Sequence, residues 1–135
     1  MNLVAAYVLT LVAFAILDSI WLVAMGERLY RPMIGSMLAE NFKLGPAFVF
    51  YGLYAAGLTY FAVLPGLADG AWRRAAVSGA LLGLVAYGTY DLTNLATLKA
   101  WNFKLSLIDM AWGACVSACA SSAACALTTR AGGAT

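Results

Sequence analysis

Four apolar stretches, 3–25, 46–64, 75–98 and 105–127, take up most of a chain of 135 residues. Each is about as long as the roughly 20 helical residues that cross a bilayer core. Wound as helices they are apolar on every face, whereas a helix on a soluble protein keeps a polar back. Such helices need either a large protein core or lipid, and a chain this short does not supply the large core. The expected fold is an all-α integral membrane protein, a four-transmembrane-helix bundle forming a single domain over 1–135. A composition of 64% hydrophobic and 10% charged residues agrees, because charge in soluble domains runs near a quarter.

The first stretch carries Asp18 and lacks a basic leader, so it reads as an uncleaved span rather than a signal peptide. Pro46 suits the first turn of the second helix, and Pro65-Gly66 with Asp69-Gly70 reads as the turn before the third. The first connection is longer than the others. After Pro32, apolar Met33, Ile34, Met37, Leu38 and Phe42 alternate with Arg31, Ser36, Glu40 and Asn41, a pattern that predicts a short interfacial amphipathic helix over about 31–42. A lid packed on the end of the bundle fits the same pattern. The loops after spans one and three hold Arg28, Arg31, Lys43, Lys99 and Lys104, against Arg73, Arg74 and Arg130 on the opposite side. That excess favours both termini outside, with inverted or dual insertion as the alternatives.

Small residues mark helix contacts. Gly113, Ser117, Ser121 and Cys125 recur every fourth residue on span four beside Ala114, Ala118, Ser122 and Ala126, and span three has Gly79 and Gly83. Such ladders let helix backbones approach closely in lipid, against a partner in the same chain or another. The three cysteines lie within one apolar run, and Cys115 with Cys119 makes a poor metal site without further soft ligands. No metal and no cofactor is therefore expected. A net charge of +2, scattered along the chain, gives no basic stripe for nucleic acid. The sequence contains no histidine, so proton chemistry falls to carboxylates, tyrosines or lysines.

Three charged residues lie within the spans, and all are aspartates: Asp18, Asp91 and Asp109. An ionisable group inside a span costs about 2.5 to 3.5 kcal/mol even on the lenient insertion scale, which makes it a functional candidate. Asp18 and Asp91 each lie roughly 10 Å before the end of an odd span, and Asp109 roughly 6 Å into span four, at 1.5 Å per residue. These positions share one layer on the side of the long first loop. Tyr87, Tyr90, Asp91, Asn94 and Thr97 form a polar stripe on span three, while Trp21 and Trp112 each follow an aspartate by three residues on the same helix face. Together they outline an acidic, aromatic pocket. Three carboxyls so close in a low dielectric would not all be charged, which leaves at least one to carry a proton.

Against this stands a purely structural reading in which the buried polar groups are interhelical glue, Lys99 or Lys104 neutralises an acid, and the aromatics anchor at the interface. The likeness of Ile16-Leu17-Asp18-Ser19-Ile20-Trp21 to Leu107-Ile108-Asp109-Met110-Ala111-Trp112 suggests a duplication. A true inverted repeat would put the two aspartates on opposite membrane sides, so the likeness reads as a shared local solution.

The run Tyr90-Asp91-Leu92-Thr93-Asn94-Leu95-Ala96-Thr97-Leu98-Lys99, then Trp101 and Asp109-Met110-Ala111-Trp112-Gly113, resembles the signature of a bacterial membrane family known as domain of unknown function 2177. The resemblance extends over essentially the whole chain, including Asp18 and Trp21. It implies a bacterial inner-membrane protein and no particular substrate.

The expected function is the binding or transfer of a small cationic or lipid-like ligand, or of protons, at the aspartate layer, with Asp18, Asp91, Asp109, Asn94, Tyr87, Tyr90, Trp21 and Trp112 as site residues. Membrane lipids are expected neighbours, and a homo-oligomer or larger membrane complex is a further possible setting. An accessory or assembly subunit is the alternative. A lipid-modifying enzyme is another, disfavoured by the missing histidine, nucleophile and metal or nucleotide motif. The charge bias predicts that a reporter fused to the C-terminus is active only on the outer face. Activity only on the inner face reverses the orientation.

Overall fold

The computed structural model describes residues 2–39, 41 and 43–133. Among these residues six α-helices follow one another: α1 (Leu3–Met25), α2 (Arg31–Ile34), α3 (Leu44–Leu58), α4 (Leu64–Ala68), α5 (Trp72–Thr97) and α6 (Phe103–Gly133). A π-helical turn, Gly26–Tyr30, joins α1 to α2, and another, Thr59–Val63, joins α3 to α4. Four continuous helical stretches long and apolar enough to cross a membrane result: Leu3–Met37, Leu44–Ala68, Trp72–Thr97 and Phe103–Gly132.

Local chemistry sets the ends of these helices. The Asn2 side chain caps α1 by accepting the Ala5 N–H at 3.1 Å, and Asn102 does the same for α6 through the Leu105 N–H, also 3.1 Å. After α4 the chain reverses through Gly70 at φ 63°, with the Gly70 N–H bonded to the Leu67 carbonyl and the Ala71 N–H to the Gly66 carbonyl. That paired closure requires a left-handed residue, which glycine adopts without strain. The reversal thus uses Asp69-Gly70 alone. Pro65-Gly66, expected in the turn, is instead helical, because Pro65 stands in the first turn of α4 just after the π turn. There its missing N–H is tolerated.

The expected helix over 31–42 is helical from Arg31 to Met37, first α and then 3-10, and continues directly from span one. Glu40 and Phe42 lie outside the described residues. The 23 residues of α1 alone rise about 34 Å, already the thickness of a bilayer core, which puts the turns from Gly26 onward at its edge.

The bundle presents apolar side chains outward and buries polar ones beside an apolar core that includes Phe14, Leu58 and Leu105. Val23, Leu53, Val4 and Val77 face outward, while Thr10, Asp18, Asp91, Ser106, Asp109, Ser117 and Ser121 are buried. In lipid an outward valine costs nothing, and polar groups must find partners inside. The expected ladders meet within this chain. A Cβ on Gly79 would stand 2.6 Å from the Ser117 carbonyl oxygen, and one on Gly83 would stand 2.6 Å from Ser117 Oγ and 2.8 Å from the Gly113 carbonyl carbon. The backbones of α5 and α6 therefore touch, and Tyr54 joins them from α3 through a 2.6 Å hydrogen bond between its hydroxyl and Ser117 Oγ.

Gly83→Val should force α5 and α6 apart and cost about 1–3 kcal/mol or more of stability, seen as a lower unfolding temperature in detergent. Gly57→Ala, where an added Cβ meets nothing within 4 Å, should leave the transition in place. Equal transitions for both variants would show that this contact does not hold the bundle.

Candidate functional site

Helical rise and the antiparallel run of neighbouring spans bring residues from four stretches to one level. A cavity of about 330 Å³ opens there, lined by Asp18, Trp21 and Leu22 from α1, Tyr30 from the π turn, Phe50 from α3, Ala86, Tyr87 and Tyr90 from α5, and Asp109 and Trp112 from α6. Asp18 and Asp109 are both buried, at 8% and 6% exposure.

Asp18 accepts from a phenol and an indole, and Asp109 from a phenol that is itself bonded to an indole. The Tyr51 hydroxyl donates to Asp18 Oδ2, and the Trp112 Nε1–H donates to Asp18 Oδ1 at 3.2 Å. The Tyr30 hydroxyl donates to Asp109 Oδ1 and accepts the Trp21 Nε1–H at 2.9 Å. Between the two arms the indoles of Trp21 and Trp112 stack face to face, centroids 4.4 Å apart and planes 5° from parallel. The arms thus cross: the tryptophan three residues after Asp18 serves the Asp109 arm, and the tryptophan three residues after Asp109 serves Asp18.

Asp91 occupies a different position. It is fully buried, does not line the cavity, and neither of its carboxyl oxygens has a hydrogen-bond partner among the described residues. Its carboxyl lies within hydrogen-bonding reach of the Asp109 carboxyl. Two carboxylates are both acceptors, so this contact becomes a hydrogen bond only with a proton between them.

Of the residues expected at the site, Asp18, Asp109, Trp21, Trp112, Tyr87 and Tyr90 share the cavity wall, and Asp91 sits behind Asp109. Asn94 is half-buried one turn beyond and lines no part of it. Thr97, the end of the expected stripe, bonds back to the Thr93 carbonyl of its own helix at 2.7 Å. Lys99 and Lys104 stay exposed. The ion pairs among the described residues are Arg31 with Glu27 and Arg74 with Asp69, so no basic side chain is paired with the buried acids.

Tyr30, Tyr51 and Phe50 had escaped the sequence reading. Tyr51 stands seven residues into α3, roughly 10 Å deep, so the depth arithmetic used for the acids also reaches it when extended to tyrosines. Tyr30 had no such signal, because the π turn that aims it inward rotates the following residues out of the α-helical register.

Tyr30→Phe removes the hydroxyl that joins Trp21 to Asp109, and a loss of about 1–2 kcal/mol is expected in thermal unfolding. Tyr60→Phe, at an exposed ring, should be silent, and matching behaviour of the two would remove Tyr30 from the network.

A family described as "Predicted membrane protein (DUF2177)" matches residues 3–126. No curated protein and no solved structure matches the chain. With the match running from the first residues of α1 to near the end of α6, the chain belongs to the DUF2177 family of predicted membrane proteins.

Proposed function

We propose that this chain is a bacterial inner-membrane protein that binds a small, lipid-soluble organic cation in the cavity between α1, α3, α5 and α6. The observation that carries this reading is the charge inventory of the cavity: two buried carboxylates on its wall and no basic side chain paired with either among the described residues. Buried charges are otherwise paired, so a cation from outside the chain is the natural complement. The remaining wall suits the same guest. Indole and phenol faces attract an ammonium group through their quadrupoles, most strongly when the group has been desolvated. A volume of about 330 Å³ limits the guest to something small, at the lower end of ligand pockets.

Benzyltrimethylammonium is a suitable probe, with neopentylbenzene as its uncharged counterpart. In lipid nanodiscs the cation should change the fluorescence of the stacked Trp21 and Trp112, read in a background with Trp72→Phe and Trp101→Phe, and the neutral compound should not. Asp18→Asn and Asp109→Asn should each weaken cation binding about tenfold or more while the protein still inserts and runs as a single species. Unaltered binding in both variants, or equal binding of the neutral compound, refutes the reading.

A further inference from the structure

The proposed cation site leaves one buried acid without a task. Asp91 is fully buried, has no donor to either oxygen among the described residues, and faces Asp109, which does line the cavity. We infer that Asp91 and Asp109 share one proton and that entry of the cation releases it, which makes the site a proton–cation exchanger. The inference rests on the cation-binding reading and extends it to the exchange.

Geometry supports each part. Two facing acceptors need one hydrogen between them, and the other groups around the pair do not provide it to Asp91. Those groups are Tyr87 and Tyr90 on α5, Tyr30 on the π turn, Asp18 on α1 and Tyr51 on α3. The Tyr30 hydroxyl is directed at Asp109 and the Tyr51 hydroxyl at Asp18. No lysine or arginine is ion-paired with either carboxyl among the described residues. With its proton the pair carries one negative charge, and without it two. A monovalent cation beside Asp109 replaces the charge of the lost proton, so the net charge of the buried site is unchanged by the exchange.

A neighbouring cavity offers the released proton a direction of exit. This second cavity, about 450 Å³, shares Leu22, Tyr30 and Tyr90 with the first and extends past Glu27 and Arg31, an exposed pair 2.9 Å apart. Tyr30 stands between the two cavities with its hydroxyl on Asp109, the position of a relay toward the side of the first loop.

Calorimetric titration of the wild-type protein in nanodiscs with benzyltrimethylammonium tests the exchange, because a quaternary ammonium has no proton of its own to lose. Run in two buffers of different ionisation enthalpy, it should show about one proton released per cation bound, and apparent affinity should fall about tenfold for each unit of pH lowered across the exchange range. Asp91→Asn should keep binding but release no proton and lose the pH dependence. Infrared spectra without any ligand give an independent check. A protonated-carboxyl C=O stretch should be present near neutral pH, persist in Asp18→Asn, and vanish in Asp91→Asn.

Cation binding with no proton released overturns the exchange while the binding site stands. A carboxyl band without any cation binding overturns both the exchange and the site. Absence of the band from the wild-type protein overturns the shared proton.

Discussion

Within a bilayer, a polar group that does not meet a partner inside the protein meets none, and this constraint organises the interior of the bundle. Many large apolar residues face outward, and Thr10, Thr59, Ser106, Ser117, Ser121, Asp18, Asp91 and Asp109 are gathered between the helices beside buried Phe14, Leu58 and Leu105. Some of these groups are satisfied within their own turn, as when Thr10 and Thr59 bond the carbonyls of Ala6 and Ala55 at 2.7 Å. A carboxylate cannot do this, since a helix presents it with no free donor. Asp18 and Asp109 therefore need donors from other elements: the Tyr51 phenol and the Trp112 indole supply Asp18, and the Tyr30 phenol, itself accepting from the Trp21 indole, supplies Asp109. The cavity lies beside three of those rings, Tyr30, Trp21 and Trp112.

The crossing of the two arms follows from helix direction. Spans one and four run antiparallel, so three residues onward from Asp18 and three residues onward from Asp109 move in opposite senses through the membrane, each by about 4.5 Å. Trp112 is thereby carried to the level of Asp18, and Trp21 to the level of Asp109. The depths deduced from sequence, roughly 10 Å for Asp18 and 6 Å for Asp109, already contain this offset. The paired Asp-x-x-Trp segments are thus a local solution made twice on opposed helices, and the stacked indoles lie where the two solutions meet.

Much of this was legible in the sequence because length, hydropathy and helical rise are one-dimensional quantities. They gave the four spans, the common level of the aspartates, and most of the cavity wall. The ends of the helices were less legible: span two runs from Leu44 to Ala68 where 46–64 was expected, because the π turn at Thr59–Val63 lets the helix pass through Pro65. The division of labour among the acids was not legible either. A helical wheel places Asp91 beside Tyr87 and Tyr90, but which side of α5 opens on the cavity depends on how closely α6 approaches. That approach is fixed by Gly79 and Gly83 against Gly113 and Ser117, and an added Cβ at Gly113 would meet the Tyr87 ring, 2.6 Å from its Cδ1. The ladders were visible, yet only their pairing within the chain shows that they shape the site.

Magnitudes separate the structural reading of the acids from the functional one. A carboxylate in a span costs about 2.5 to 3.5 kcal/mol, and an interhelical hydrogen bond in a membrane protein returns about 0.6 kcal/mol on average. Two such bonds at Asp18 do not offset its burial, and Asp91 receives none among the described residues. Asparagine at these positions would serve as glue at lower cost, since a neutral amide donates as well as accepts. Serine and threonine already fill that role elsewhere in the bundle, at Ser117 with Tyr54 and at Ser106, which accepts the Trp101 indole N–H at 2.8 Å. What Asp18 and Asp109 add is a carboxyl group each on a cavity wall of aromatic faces, and the proposed cation site rests on that addition.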